Sequence, residues 1–179
     1  LKDQQISSMV ESLGTLLRAT LSNKKPLVSL DYEIGLAGSY MTIQKIRFED
    51  RLLFHVECPE ELGKALILPL TIQPLLENAI RYGMEEMMDT CEISIRTRKE
   101  GTLLIVEVSN EGSVFEDSLL EKLQDGTKNA HGFGIGLVNI HQRIQMLFGE
   151  SYGLSFKNQD EKAIAIITIP YKTEEDDYA

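Results

Sequence analysis

Residues 68–83 read Leu-Pro-Leu-Thr-Ile-Gln-Pro-Leu-Leu-Glu-Asn-Ala-Ile-Arg-Tyr-Gly, and this pattern predicts one short amphipathic helix. Pro74 suits the first helical turn, where a missing N–H has no partner to lose, and Gly83 suits the helix end. At about 100° per residue, the apolar arc consists of Leu75, Leu76, Ala79 and Ile80. The opposite arc consists of Glu77, Asn78, Arg81 and Tyr82. Such a face could hold a metal ion and a phosphate, although an exposed face with a Glu77–Arg81 ion pair gives the same pattern.

The bulk properties limit the possible partners. The chain has 179 residues and a net charge of −10, which suits one domain plus an appendage and disfavours nucleic acid or an anionic membrane as main partner. Cys58 and Cys91 lack metal-ligand spacing, so a reducing, cytoplasmic setting fits best. Leu1 is not an initiator methionine, so we expect a fragment, with any membrane span outside these residues.

Residues 1–50 predict a helical hairpin. Apolar residues recur at three- and four-residue steps over 2–23, and Ser29 can cap a second helix that ends near Phe48. Asp31 and Glu33 lie in its first turn, where acidic groups favour the positive helix end. The apolar stripe of this hairpin should pair with a second copy or pack on the next domain.

Residues 51–171 predict an α/β (α+β) two-layer sandwich, a mixed sheet with helices on one face. The expected strands cover 51–57, 91–98, 102–110, 152–157 and 163–169. Their inward side chains should include Ile93, Ile95, Leu104, Val106 and Val108. Between them we expect a short helix over 115–123, a polar lid over 124–131 and a helix over 138–148. Residues 172–179 form an acidic, apolar-poor tail that should be disordered.

A glycine loop, His131-Gly-Phe-Gly-Ile-Gly-Leu137, precedes the last predicted helix. Alternate glycines allow close backbone approach, and a helix that begins after them offers free N–H groups to an anion such as phosphate. The loop follows a polar segment instead of a strand and lacks a Gly-Lys-Ser/Thr ending, so it fits neither a dinucleotide fold nor a Walker loop. A glycine-rich turn without a ligand remains the alternative.

The two motifs together resemble the nucleotide-binding (GHKL, or HATPase) domain of sensor histidine kinases, type II topoisomerases, mismatch-repair ATPases and the large heat-shock chaperone. Residues 73–83 resemble its N box, and 132–137 resemble its second glycine box. Residues 40–48, the Leu68-Pro69 entry and residues 136–143 resemble the LytS/YesM class of sensor histidine kinase. The resemblance implies a Bergerat-type fold that binds ATP and Mg²⁺.

The resemblance also implies individual roles. Asn78 would hold Mg²⁺ through its amide oxygen, and Glu77 would be the catalytic group that orients or deprotonates the attacking group. Arg81 would face the phosphates. Asn110 and Gly112 fall on the first glycine box, where the family usually has an Asp that contacts the adenine amino group, and Asn110 would accept that hydrogen bond. Val114 stands where a second glycine is usual. The full implied set of nucleotide contacts is Asn78, Arg81, Tyr82, Asn110, Gly112, Lys128, His131, Gly132, Phe133, Gly134, Ile135, Gly136 and Leu137.

The implied activity is phosphoryl transfer from Mg·ATP to a histidine absent from this fragment, and then to a response regulator. His55, His131 and His141 lie outside any Asn-Pro-His-Phe setting, so we expect them to be structural or solvent-facing. The full-length protein would be a homodimer in the cell membrane. Two alternatives remain: an ATPase clamp like the topoisomerase relatives, or a degenerate nucleotide-binding or protein-interaction module.

Overall fold

A mixed sheet of five strands forms the centre of the chain. The computed structural model describes residues 2–22, 25–85, 90–117, 119, 121 and 135–174. Its helices are α1 (Lys2–Ser22), α2 (Leu30–Phe48), α3 (Ile72–Ile80) and α4 (Ile135–Phe148). Its strands are β1 (Val28–Ser29), β2 (Leu52–Glu57), β3 (Leu66–Ile67), β4 (Cys91–Glu100), β5 (Leu103–Glu111), β6 (Gly153–Gln159) and β7 (Lys162–Pro170).

The strand order is β2-β4-β5-β7-β6, with β2 parallel to β4 and every other neighbour antiparallel. The predicted mixed sheet is therefore confirmed. Asp160 and Glu161 join β6 to β7 with φ angles of 51° and 61°, as a tight hairpin turn requires. A two-stranded antiparallel pair, β1 with β3, was not predicted, because two residues per strand are too few to show periodicity.

The two faces of the sheet differ in polarity. All five predicted inward side chains are buried: Ile93, Ile95, Leu104, Val106 and Val108. They belong to one apolar cluster with residues of α3 and α4, including Leu76 and Ile144. The other face carries ion pairs such as Arg98–Glu107, at 2.9 Å. The predicted placement of helices on one face is thus confirmed.

The N-terminal helices form the predicted hairpin. The Ser29 hydroxyl caps α2 by accepting a hydrogen bond from the Tyr32 N–H, at 3.3 Å. Helix α2 packs on α3 and β2, whereas α1 keeps an exposed apolar stripe. The exposed members of that stripe are Ile6, Met9, Val10, Leu13, Leu17 and Leu21.

The prediction that Gly83 ends the central helix is wrong. Helix α3 continues beyond Ile80 as a π-helical turn over Arg81–Glu85, so Gly83 lies inside the helical segment. A Cβ at Gly83 would stand 2.6 Å from the Cys91 sulfur. Glycine is needed here because β4 passes too close for any side chain.

Several other predicted elements lie partly or wholly outside the residues that the structure describes. The lid over 124–131 and residues 175–179 of the tail lie outside the described residues, as do most residues of the helix over 115–123. Phe115 exchanges two hydrogen bonds with the Asn158 amide. The Lys172 carbonyl accepts from the Leu66 N–H at 2.8 Å, so the first residue of the predicted tail is anchored to the domain. Among the described helices, none is long and apolar enough to cross a membrane.

Candidate functional site

One face of α3 adjoins the beginning of α4. Pro74 and Asn78 are four residues apart and therefore lie on the same face, one turn from each other. The Pro74 Cβ lies 3.9 Å from the position that a Cβ would take on Gly136. Arg143, further along α4, donates a hydrogen bond to the Pro69 carbonyl at 3.0 Å. The N-box helix and the end of the glycine loop are thus neighbours in space, although 62 residues separate Pro74 from Gly136 in sequence.

The acid–amide pair differs in exposure. Asn78 is 9% exposed, whereas Glu77 points to solvent and accepts a hydrogen bond from the Gln73 amide at 2.9 Å. The Asn78 amide carries no formal charge, so it can hold a ligand at this nearly buried position without repelling phosphate. An exposed carboxylate can reach an incoming group that arrives from outside the domain.

The C-terminal end of α3 meets the end of β5. Arg81 and Tyr82 are half-buried, with the guanidinium carbon 5.9 Å from the ring centroid. A Cβ at Gly83, the next residue, would stand 3.3 Å from the Asn110 amide nitrogen. About nine residues of helical rise, roughly 12–14 Å, therefore separate the α4 contact at Pro74 from the β5 contact at Gly83.

Asn110 is 3% exposed, and its amide nitrogen donates to the Glu111 carbonyl at 3.1 Å and to the Ser113 hydroxyl at 2.7 Å. Because the nitrogen is committed, the amide oxygen is the part of this side chain that is suited to accept from another group. Gly112 follows with φ of 81°, a turn conformation that side chains rarely adopt. The first glycine box thus ends β5 in a sharp turn beside α3.

The second glycine box is described only at its end. Helix α4 begins at Ile135, Gly136 is exposed, and Leu137 is 3% exposed within the apolar core. The predicted contact of Leu137 with a nucleotide can therefore involve its backbone only. The first N–H groups of a helix lack intrahelical partners and can bind an anion. Five predicted residues lie outside the described part: Lys128, His131, Gly132, Phe133 and Gly134.

Glu33 makes a contact near this site that sequence reasoning missed. It lies in the first turn of α2, as predicted, but its carboxylate is 1% exposed and accepts from three N–H groups at the start of α3. These donors are Leu70, Thr71 and Ile72, at 2.7, 3.0 and 3.3 Å. Burial raises the pKa of Glu33, against the opposing effect of these donors and of Arg143. The sequence offers no local signal for this contact, since 37 to 39 residues separate the partners.

The described histidines fit a structural or exposed role. His141 is 6% exposed, and its Nδ1 accepts from the Leu154 N–H at 3.0 Å. Burial lowers the pKa of His141, and an Nδ1 that accepts a hydrogen bond belongs to the neutral form of the ring. His55 is exposed on β2, and His131 lies outside the described residues.

Two family models match the chain. One, described as "Histidine kinase-, DNA gyrase B-, and HSP90-like ATPase", covers residues 63–173, and one described as "Histidine kinase" covers residues 1–52. The first contains α3, α4 and four strands of the five-stranded sheet. The second contains α1 and α2.

Named relatives agree with both matches. The chain is 41% identical to the sensor histidine kinase YesM of Bacillus subtilis over 97% of its own length, and 29% identical to the sensor protein LytS of Streptococcus agalactiae over 93%. It spans 29% of the length of each of these relatives.

The fold has solved counterparts. The histidine kinase ThkA, in complex with the response regulator protein TrrA, superposes with a TM-score of 0.60 at 19% identity, over 93% of this chain and 49% of that one. At this identity the likeness shows the fold alone. The match over 63–173, supported by the relatives and by the motifs that α3 brings together, shows that the chain belongs to the histidine kinase-, DNA gyrase B- and HSP90-like ATPase family.

Proposed function

We propose that this chain is the Mg·ATP-binding catalytic part of a sensor histidine kinase of the LytS/YesM type. The observation that carries the proposal is the position of α3, which meets α4 at Pro74 and β5 at Gly83. The described end of the second glycine box, the N box and the first glycine box therefore lie along one helix. The alternative of a glycine-rich turn without a ligand gives no reason for these three motifs to adjoin.

The donor set fits a magnesium-bound nucleotide. The Asn78 amide oxygen is a hard, neutral ligand of the type that Mg²⁺ accepts alongside water and phosphate. Arg81 and the first N–H groups of α4 supply positive charge for phosphates in a chain whose net charge is −10. The Asn110 oxygen can accept from an amino group such as that of adenine.

In this assignment the bound nucleotide supplies a phosphoryl group, and Mg²⁺ neutralises charge on it. The chain's own residues bind and orient: Asn78 holds the metal, Arg81 faces the phosphates, and α4 presents its N–H groups. Glu77, which is exposed, is available to orient or accept the proton of the attacking group. Catalysis rests on position and charge, as is usual for phosphoryl transfer.

The acceptor histidine belongs to another segment of the full-length kinase. His141 is unsuited, because its Nδ1 already accepts a backbone hydrogen bond. From there the phosphoryl group passes to a response regulator, by analogy with the solved complex of ThkA and TrrA. The full-length protein is anchored in the membrane through segments beyond this chain.

Titration calorimetry with Mg·ATP tests the site. Asn78→Ala should raise the Kd at least about tenfold, equivalent to roughly 1.4 kcal/mol of binding free energy. Gln142→Ala, at an exposed amide on α4, is the matched control and should leave the Kd unchanged. If the unaltered chain does not bind Mg·ATP, the degenerate-module alternative is supported instead.

A second experiment separates a kinase from an ATPase clamp. The chain is mixed with Mg·ATP and a separate helical hairpin that carries an Asn-Pro-His-Phe sequence. Acid-labile phosphate on that histidine supports the kinase. Free phosphate with an unmodified hairpin supports the clamp.

We also propose that a second copy covers the stripe on α1. Val10, Leu13 and Leu17 are 65%, 53% and 55% exposed, and they continue a three- and four-residue spacing typical of paired helices. Leu13→Glu should shift sedimentation from dimer towards monomer. Met146→Glu, at a residue 88% exposed on α4, should not.

A further inference from the structure

The first turn of α3 is capped by a side chain from another helix. Both Glu33 oxygens are used: Oε1 accepts from the Leu70 N–H, and Oε2 accepts from the N–H groups of Thr71 and Ile72. The Thr71 and Ile72 N–H groups are among those that a helix leaves unpaired at its beginning, and Leu70 is the residue just before the cap position. The carboxylate therefore does the work of an N-cap from 37 to 39 residues away.

A local cap is absent at this position of the described chain. Thr71 occupies the cap position, but α3 has no side-chain cap hydrogen bond, and the Thr71 hydroxyl donates to the Leu68 carbonyl at 2.7 Å. Leu70 has φ of 56°, a conformation that costs a branched residue free energy. The hydrogen bond to Glu33 holds the Leu70 N–H in that strained turn.

A second helix contacts the same turn. Arg143 of α4 donates to the Pro69 carbonyl at 3.0 Å, and its charge also acts on the Glu33 carboxylate. Residues 69–72 are therefore held by α2 on one side and by α4 on the other. Asn78 lies on α3 six residues beyond Ile72, less than two turns from the capped end.

A buried carboxylate is an energetically costly cap for the start of a helix. Removing a charge from water costs several kcal/mol, which its hydrogen bonds must then offset. A Ser, Thr or Asp at the cap position satisfies the same N–H groups at the surface. Glu33 therefore does something that a local cap cannot do, which is to join the start of α3 to α2.

We propose that Glu33 is a positioning residue for the nucleotide site, which makes the orientation of α3, and so of Asn78, depend on the position of α2. The inference rests on the proposed function, since it concerns the same site. A movement of α2 is transmitted to α3 through the Glu33 carboxylate and residues 69–72.

The test uses the 179-residue chain and two readouts. The first is the Kd for Mg·ATP, measured at a temperature where circular dichroism shows each variant folded. Glu33→Gln should raise the Kd about fivefold or more. The Gln side chain replaces one accepting oxygen with an NH₂ donor, which cannot accept from the backbone N–H groups. The second is the side-chain amide NMR resonance of Asn78 without nucleotide, which should shift in Glu33→Gln.

Two controls and a second test variant accompany this experiment. Glu61→Gln makes the same charge change at an exposed residue and should alter neither readout. Ile169→Val lowers stability in the core at β7 and should leave the Kd unchanged, which separates positioning from loss of stability. Glu33→Asp keeps the charge but is one methylene shorter, and should change both readouts in the same direction if Glu33→Gln does not fold.

The outcomes are distinct. A Kd within twofold of the unaltered chain, or an Asn78 resonance that does not move, overturns the proposal. If no variant binds Mg·ATP, including the unaltered chain, the proposed function fails, while the Asn78 resonance still reports whether Glu33 positions α3.

Discussion

The two ends of α3 are fixed in different ways. At its first turn the helix is held by hydrogen bonds to the Glu33 carboxylate of a different helix, whereas at its last turn it packs closely on Cys91 because Gly83 has no side chain. The first contact is polar, directional and buried. The second is steric and depends on Cys91 lying against bare backbone. The difference shows that one short helix can be fixed by hydrogen bonds at one end and by close packing at the other, while the residues between remain available for chemistry.

The largest expected effect is at the polar end. Glu33→Ala leaves three N–H groups without their acceptor, so the free energy of unfolding should fall by about 3 kcal/mol in urea titrations. The burial that raises the pKa of Glu33 offsets part of the loss, since a costly buried charge also disappears. Glu61→Ala, at an exposed acid, should change stability by less than about 0.5 kcal/mol. A loss below 1 kcal/mol at Glu33 would mean that water replaces the carboxylate without penalty.

The steric end should be next in sensitivity. Gly83→Ala places a Cβ 2.6 Å from the Cys91 sulfur and should cost about 2 kcal/mol of unfolding free energy. In a Cys91→Ala background the additional cost should be smaller, because the clashing atom is gone. Gly35→Ala, in mid-α2 with nothing within 4 Å, should instead stabilise by about 0.5 kcal/mol. Equal costs in both backgrounds would place the strain elsewhere.

A smaller effect is expected where α4 meets β6, at a contact that depends on pH. The folded-state pKa of His141 is lowered by burial, so the unfolded chain takes up a proton first as the pH falls below about 6.5. The unfolding free energy should therefore decrease by at most about 1.3 kcal/mol between pH 7 and pH 5.5 through this residue. His141→Asn keeps an acceptor for Leu154 without a titrating group. The unfolding free energy of this variant should therefore lack that decrease between pH 7 and pH 5.5. His55→Asn, at an exposed histidine, should retain the decrease.

The smallest effect on stability is expected between the two ends. Glu77→Gln changes an exposed side chain whose partner, Gln73, can still hydrogen-bond, so the unfolding free energy should change by less than about 0.5 kcal/mol. Phosphoryl transfer to a supplied histidine should nevertheless fall strongly, because Glu77 is the proposed catalytic group. A stability loss as large as that of Gly83→Ala would show that the middle of α3 is structural as well.

Local sequence patterns predicted most of the helices and strands and the buried face of the sheet, but not all of the contacts between these elements. The alternation in β4 and β5 and the spacing in α1 carried enough signal to place those elements and the inward side chains such as Ile93 and Val106. Gly83 was misassigned, because a glycine that ends a helix and a glycine that admits a neighbour look alike without the neighbour. The parallel pairing of β2 with β4 has no local signature, since parallel register depends on a long connection.

The sequence by itself determined which chemical groups are available for the proposed nucleotide site, because Glu77-Asn78 and the alternate glycines are recognisable by type and spacing. Only the tertiary structure decided that Pro74 meets Gly136, that Gly83 meets Asn110 and that Glu33 caps α3. The physical reason is range. Side-chain type and periodicity act over a few residues, whereas caps, clashes and buried charges join partners that only a folded core brings within 4 Å of each other.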